Sequence, residues 1–155
     1  MAKVRGAGEA LGRVLVTTDL SSLGDQGVAM VFGMVPAGAA VRLLHVVHPR
    51  ALERGEYETG VLTTPQHTSH VRALEQRLRS LVPPGAGPLG IWAEAVVVEH
   101  EDVARTVAEE AERFDADVVA LSSHGETGLR GLVVGSTAQA VMAHCKRPVM
   151  VLRFP

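Results

Sequence analysis

The sequence predicts a single α/β domain, a doubly wound parallel sheet of five strands in the order 3-2-1-4-5 with helices on both faces. Three observations carry that expectation. Short β-branched runs alternate with helical patterns, which is the mark of βαβ units. Several runs are apolar at consecutive positions, as strands covered on both faces must be. No repeat or compositional break divides the chain, whose 155 residues are one domain's length. The domain is expected over residues 12–155, preceded by a short N-terminal extension, 1–11.

The elements follow in order. Residues 13–18 (Arg13-Val14-Leu15-Val16-Thr17-Thr18) form the first strand. Val28, Val31, Phe32 and Val35 then share one face of the first helix. Residues 40–47 form the second strand. Residues 48–66 are polar, carry two prolines and two glycines, and make a long connection of the kind that is usually functional or mobile. Val71, Leu74, Leu78 and Leu81 mark the second helix, and Pro83-Pro84-Gly85-Ala86-Gly87-Pro88 a turn after it. Residues 90–98 end in Ala95-Val96-Val97-Val98 as the third strand. Val103, Val107, Ala111 and Phe114 line the third helix, with Glu101 and Asp102 suited to its positive N-terminal end. Asp117-Val118-Val119-Ala120-Leu121 is the fourth strand, Ala138, Val141, Met142 and Cys145 the stripe of the fourth helix, and Pro148-Val149-Met150-Val151-Leu152 the fifth strand.

Composition excludes several classes. Hydrophobic residues are 46% and charged residues 21%, the balance of a globular domain. A net charge of −2 argues against a nucleic-acid surface, and 3% aromatics against a base-stacking platform or a flavin-type electron carrier. One cysteine, Cys145, allows neither an intrachain disulfide nor a cysteine-based zinc cluster. No signal-peptide run and no membrane-spanning run is found, so a cytoplasmic address and no membrane partner are expected.

In an open α/β sheet the ligand sits beyond the carboxyl ends of the strands, where the strand order reverses. The loops that matter therefore follow the first and fourth strands. The first is Thr18-Asp19-Leu20-Ser21-Ser22; the other is Ser122-Ser123-His124-Gly125, running on to Gly135-Ser136-Thr137. No Walker A pattern is present, and Gly6, Gly8 and Gly12 precede a strand where a dinucleotide fingerprint must follow one. Gly125 and Gly128 permit close backbone approach. Gly135-Ser136 opens a helix whose first amides lack intrahelical partners, and Ser136 and Thr137 add hydroxyls, a combination suited to phosphate. The plainer alternative makes the glycines turn-formers and Ser136 an N-cap. Asp19 has two readings as well, a ligand contact or the cap of the first helix.

Other reactive side chains read as structural. His45 and His48 point to opposite sides of a strand. His67 and His70 share a helix face but lack the Glu of a His-Glu-x-x-His site. No metal site is therefore expected from protein clusters. His124 and Ser123 are weak site candidates, and they form no triad, since no Gly-x-Ser-x-Gly elbow is present. Cys145 reads as packing on the last helix beside Lys146 and Arg147. Glu109, Glu110 and Glu112 read as a solvated face, as do Arg72, Arg77 and Arg79.

Taken in order, Val14-Leu15-Val16-Thr17-Thr18-Asp19, Leu43-Leu44-His45-Val46-Val47, Ser122-Ser123-His124-Gly125, Gly135-Ser136 and Arg147-Pro148-Val149-Met150-Val151 resemble the universal stress protein family over residues 12–153. Nucleotide-binding members carry Gly, two residues, Gly, nine residues, then Gly and Ser or Thr. Here Gly125, nine residues, Gly135 and Ser136 match, whereas Ser122 stands at the first glycine. The family's Gly-x-Pro before the third helix is also missing. The resemblance implies that Asp19 contacts the ribose or a phosphate-bound Mg²⁺. It implies that Val46 lines the adenine pocket, that Ser122 lies near the ribose, and that Gly125, Gly135, Ser136 and Thr137 hold phosphates. The ligand implied is ATP or AMP, with no catalytic residue and at most slow hydrolysis. The family pairing also implies a homodimer through Val149, Met150, Val151 and Leu152, an apolar edge that needs covering. The alternative, suggested by Ser122 and the missing Gly-x-Pro, is a dimeric interaction module that takes no nucleotide.

Overall fold

The computed structural model describes residues 11–49, 64–123 and 134–154. In chain order these form β1 (Arg13–Thr17), α1 (Ser22–Met34), β2 (Ala40–Val47), α2 (Thr64–Arg79), β3 (Trp92–Glu99), α3 (Val103–Arg113), β4 (Val118–Ser122), α4 (Ser136–His144) and β5 (Val149–Leu152). All neighbouring strands run parallel in the order β3-β2-β1-β4-β5. The expected fold is therefore present. Most of the connection 48–66 lies outside the described residues, as does most of the segment 1–11.

Side chains alternate across the strands, so the sheet feeds two cores. Val14, Val16, Val41, Leu43 and Ala120 pack with Val28, Val31 and Phe32 of α1 and Leu78 of α2. Leu15, Leu44, Val119 and Leu121 pack with Val107 and Ala111 of α3 and Ala138 and Val141 of α4. Burying each such leucine contributes about 2 kcal/mol. The two helix pairs thus lie on opposite faces, and the winding reverses between β1 and β4.

Two expectations on the helices are corrected. Met142 is 43% exposed, so the buried stripe of α4 narrows to Ala138 and Val141. Arg77 does not face water alone: its guanidinium pairs with Asp25 of α1 and ties α2 to α1. Cys145 is half-buried just beyond α4, and burial pushes its thiol above the usual range. The neighbouring Arg147 lowers it less, so the thiol is not activated.

Glu110 is the larger correction. It is only 5% exposed and accepts from Arg42 Nη1 at 3.2 Å and from Arg113 Nη1 at 2.5 Å. Arg42 stands inside β2 and also donates through Nε to Glu94 of β3 at 2.8 Å. The guanidinium carbons of Arg42 and Arg13 lie 4.5 and 4.4 Å from the centre of the buried Phe114 ring. A charge on a buried strand must be paired, and the facing turn of α3 supplies the partner.

Arg147 closes the C-terminal end of α3. Its Nε and Nη2 donate to the two carboxylate oxygens of Glu112 at 2.9 and 3.1 Å, and its Nη1 to Asp115 Oδ1 at 3.0 Å. The bond from Arg147 holds the Glu112 carboxyl below the usual carboxylate range. A depressed acid gives stability that is present above its unfolded value, near 4.3, and lost as pH falls through its folded one. Arg147→Ala is expected to lower stability modestly at neutral pH, since the two-pronged pair with Glu112 is solvent-exposed and screened. The gap between wild type and variant should shrink below about pH 4. Urea unfolding followed by the fluorescence of Trp92, the only tryptophan, measures both.

Candidate functional site

The β1–α1 turn is built from its own side chains. Thr18 NH bonds to Leu44 O at 3.0 Å, and Thr18 O accepts from His45 Nδ1 at 2.9 Å. A carbonyl can only accept, so that imidazole nitrogen carries the proton. Thr18 Oγ1 accepts from Leu20 NH at 2.9 Å, and Leu20 adopts φ 63°, a left-handed conformation that costs a non-glycine residue about 1–2 kcal/mol. Asp19 Oδ1 accepts from Ser21 NH at 3.0 Å and from Ser21 Oγ at 2.5 Å. The cap of α1 is Ser21, whose Oγ accepts from Gly24 NH at 3.1 Å. Asp19 therefore braces the cap without being it, and its Oδ2 finds no donor among the described residues.

Helix α1 comes very close to this turn and to β4. A Cβ on Gly24 would collide with Thr18 Oγ1 and lie 2.6 Å from Asp19 Oδ1. One on Gly27 would lie 2.6 Å from Ser122 Oγ. The Ser122 hydroxyl is turned toward α1 and donates to Leu23 O at 3.0 Å.

The start of α4 is held from the sheet. Ser123 is 4% exposed; its NH bonds to Leu152 O at 2.8 Å, and its carbonyl accepts from Gly135 NH at 2.9 Å. A Cβ on Gly135 would lie 2.7 Å from that carbonyl oxygen, so the approach admits glycine alone. Gly135 caps α4 without a side-chain bond. The amides of Ser136, Thr137 and Ala138 find no acceptor among the described residues. They form the positive end of a helix dipole, the ordinary seat of a phosphate or carboxylate.

Between these two loops lies a cleft lined by Thr17, Thr18, Asp19, Gly24, Leu121, Ser122 and Thr137. It sits at the carboxyl ends of β1 and β4, the reversal point of the sheet. Of the expected residues, Asp19, Ser122 and Thr137 meet there. Ser136 lies alongside, with Thr137, in a trough bounded by Glu101 and Asp102 at the start of α3. Asp102 is already engaged, accepting from Arg105 NH at 2.9 Å as the α3 cap. Val46 packs on the α3–α4 core and does not line the cleft. Ser123 acts through its main chain. Gly125, His124 and Gly128 lie outside the described residues.

Thr17, Gly24 and Leu121 join the cleft without having been singled out in the sequence, and Thr18 was named only as part of its loop. A signal for Gly24 existed. Two glycines three apart in a helix each cost about 1 kcal/mol, and close approach is the usual compensation. The histidines build no cluster of three or more potential metal ligands among the described residues. His67 instead pairs with Glu99, Nε2 to Oε2 at 2.6 Å, tying the first turn of α2 to the end of β3.

A small open cleft thus lies at the reversal of a doubly wound sheet, with Thr137 and the start of α4 on one wall and the Asp19 carboxylate on the other. The chain belongs to the universal stress protein family, whose model matches residues 11–153. It is 22% identical to the universal stress protein MJ0577 of Methanocaldococcus jannaschii, over 91% of this chain and 94% of that protein. The solved structure of MJ0577 superposes with a TM-score of 0.76 at 20% identity, covering 95% and 99% of the two chains. An Arabidopsis thaliana family protein solved with AMP bound gives a TM-score of 0.61 at 16% identity, covering 93% of this chain and 92% of the other. A universal stress protein in complex with cAMP also gives 0.61, at 18% identity, covering 95% and 100%. Among the described residues, no helix is long and apolar enough to cross a membrane.

Proposed function

We propose that this chain is an adenine-nucleotide-binding protein of the stress response, acting in the cytoplasm as a homodimer and holding AMP or ATP in the β1–β4 cleft. The observation that carries the proposal is the seating of Gly135 on the Ser123 carbonyl, which sets the start of α4, whose first amides have no acceptor among the described residues, beside the cleft that Asp19 and Thr137 line. Phosphate oxygens accept from those amides, and the Thr137 hydroxyl adds a donor. Asp19 Oδ2 faces a ribose hydroxyl or a Mg²⁺ carried on the phosphates. The AMP- and cAMP-bound relatives support an adenine mononucleotide as the core ligand. Among the described residues Asp19 is the only base lining the cleft, and the proposed output is occupancy, not turnover.

The alternative of a nucleotide-free interaction module rested on Ser122 and on the missing Gly-x-Pro. The Ser122 hydroxyl is engaged with Leu23 O on α1, which supports a working site. The second copy belongs at β5, whose four strand residues carry no charge and whose outer edge has no neighbour in the sheet. The opposite edge, β3, carries Glu94 and Glu99. Calorimetric titration of the purified protein with AMP, and with ATP with and without Mg²⁺, tests the proposal. A micromolar constant for AMP is expected. No heat up to millimolar nucleotide would overturn it.

A further inference from the structure

We propose that ligand occupancy and self-association through β5 are coupled in this protein, because the cleft and the edge strand share one hydrogen-bonded joint; the inference rests on the nucleotide reading above. The joint is Ser122-Ser123. Leu121 and Ser122, both lining the cleft, pair directly with Val151 and Leu152 of β5. Ser123 NH bonds to Leu152 O at 2.8 Å, and Ser123 O accepts from Gly135 NH at 2.9 Å. A single residue, Ser123, therefore links the last residue of the edge strand to Gly135 at the start of α4.

The Leu152 side chain extends the joint to α1. Its Cδ1 would lie 3.6 Å from a Cβ on Gly27, beside the Ser122 hydroxyl that holds Leu23 O. Leu152 is 6% exposed and Ser123 is 4% exposed, so neither tie is loosened by water. A ligand that orders Gly135–Thr137 draws on the Ser123 carbonyl and fixes the register of β5. A second copy pairing along β5 fixes Leu152 and, through it, Ser123. Each event lowers the ordering cost of the other, which is positive coupling with no change of shape. Linkage is reciprocal: the factor by which AMP tightens the dimer is the factor by which dimerisation tightens AMP.

The test uses the whole chain and AMP itself. Sedimentation velocity over a concentration series, with and without saturating AMP, gives the dimer constant, and calorimetry gives AMP affinity. Val151→Lys places a charge on the edge strand outside both buried cores and supplies a monomer. The expected result is a dimer at least about fivefold tighter with AMP, and AMP binding weakened by the same factor in Val151→Lys, in the ordinary range of such couplings. AMP binding with an unchanged dimer constant, or with no dimer at any concentration, overturns the coupling and leaves the site standing. Failure of AMP to bind the wild type overturns both. A circular dichroism melt of Val151→Lys that matches wild type separates weakened binding from misfolding.

Discussion

Gly135→Ala is expected to weaken AMP binding at least about 100-fold while the domain stays folded. The added methyl would lie 2.7 Å from the Ser123 carbonyl oxygen, a main-chain atom that cannot swing aside. Either α4 or the end of β4 must shift, at a cost of about 1–3 kcal/mol for overpacking. The shift draws the amides of Ser136 and Thr137 away from the phosphate. Losing two hydrogen bonds to a charged group removes about 3–6 kcal/mol of affinity, and every 1.4 kcal/mol is about tenfold. Calorimetry reads the affinity, and a thermal melt confirms that the sheet persists. Affinity within threefold of wild type would show that the α4 amides do not carry the ligand.

Arg42→Ala is expected to destabilise the fold by ~3 kcal/mol, the lower end of what breaking a buried ion pair costs. The Arg42 side chain is 17% exposed and that of Glu110 is 7% exposed, so water cannot replace the lost partner. Glu110 keeps Arg113, which holds the cost at that lower end. Arg42→Met with Glu110→Gln should recover at least half of the loss, since the buried carboxylate is gone, Glu94 is 35% exposed and can turn to water, and the Phe114 ring keeps an apolar neighbour. Urea midpoints with Trp92 as the probe compare the three proteins; Trp92 stacks at 6.4 Å on Phe114, within the affected cluster. Equal stabilities would mean that Glu110 is satisfied without Arg42.

The architecture was legible because burial on both faces leaves little freedom. Strands such as Val14-Leu15-Val16 and Val118-Val119-Ala120-Leu121 sit at the centre of the sheet, where propensity and burial agree. The site was legible in part for a related reason. The rule that ligands sit at the reversal point selected Asp19, Ser122 and Thr137 before any coordinates were known. What escaped was two-body information. Helical periodicity assigns Glu110 to a face, but only the placement of Arg42 opposite α3 makes it a buried partner. Arg77 looked solvated until α1 set Asp25 beside it. Met142 fell on the apolar stripe of α4, yet that helix buries a narrower strip than its pattern offers. Ser122 is the instructive case at the cleft. Its identity posed a question about ribose that only the direction of its hydroxyl, toward Leu23, addresses.

The central claim is that the amides opening α4 receive the phosphate of an adenine nucleotide. Backbone amide NMR of the uniformly ¹⁵N-labelled protein during an AMP titration tests it most directly. The account predicts saturable shifts at Ser136, Thr137 and Ala138, joined by Asp19 and Ser122, with the ³¹P signal of AMP moving over the same range. Shifts confined to other parts of the sheet, or none at millimolar AMP, would contradict it.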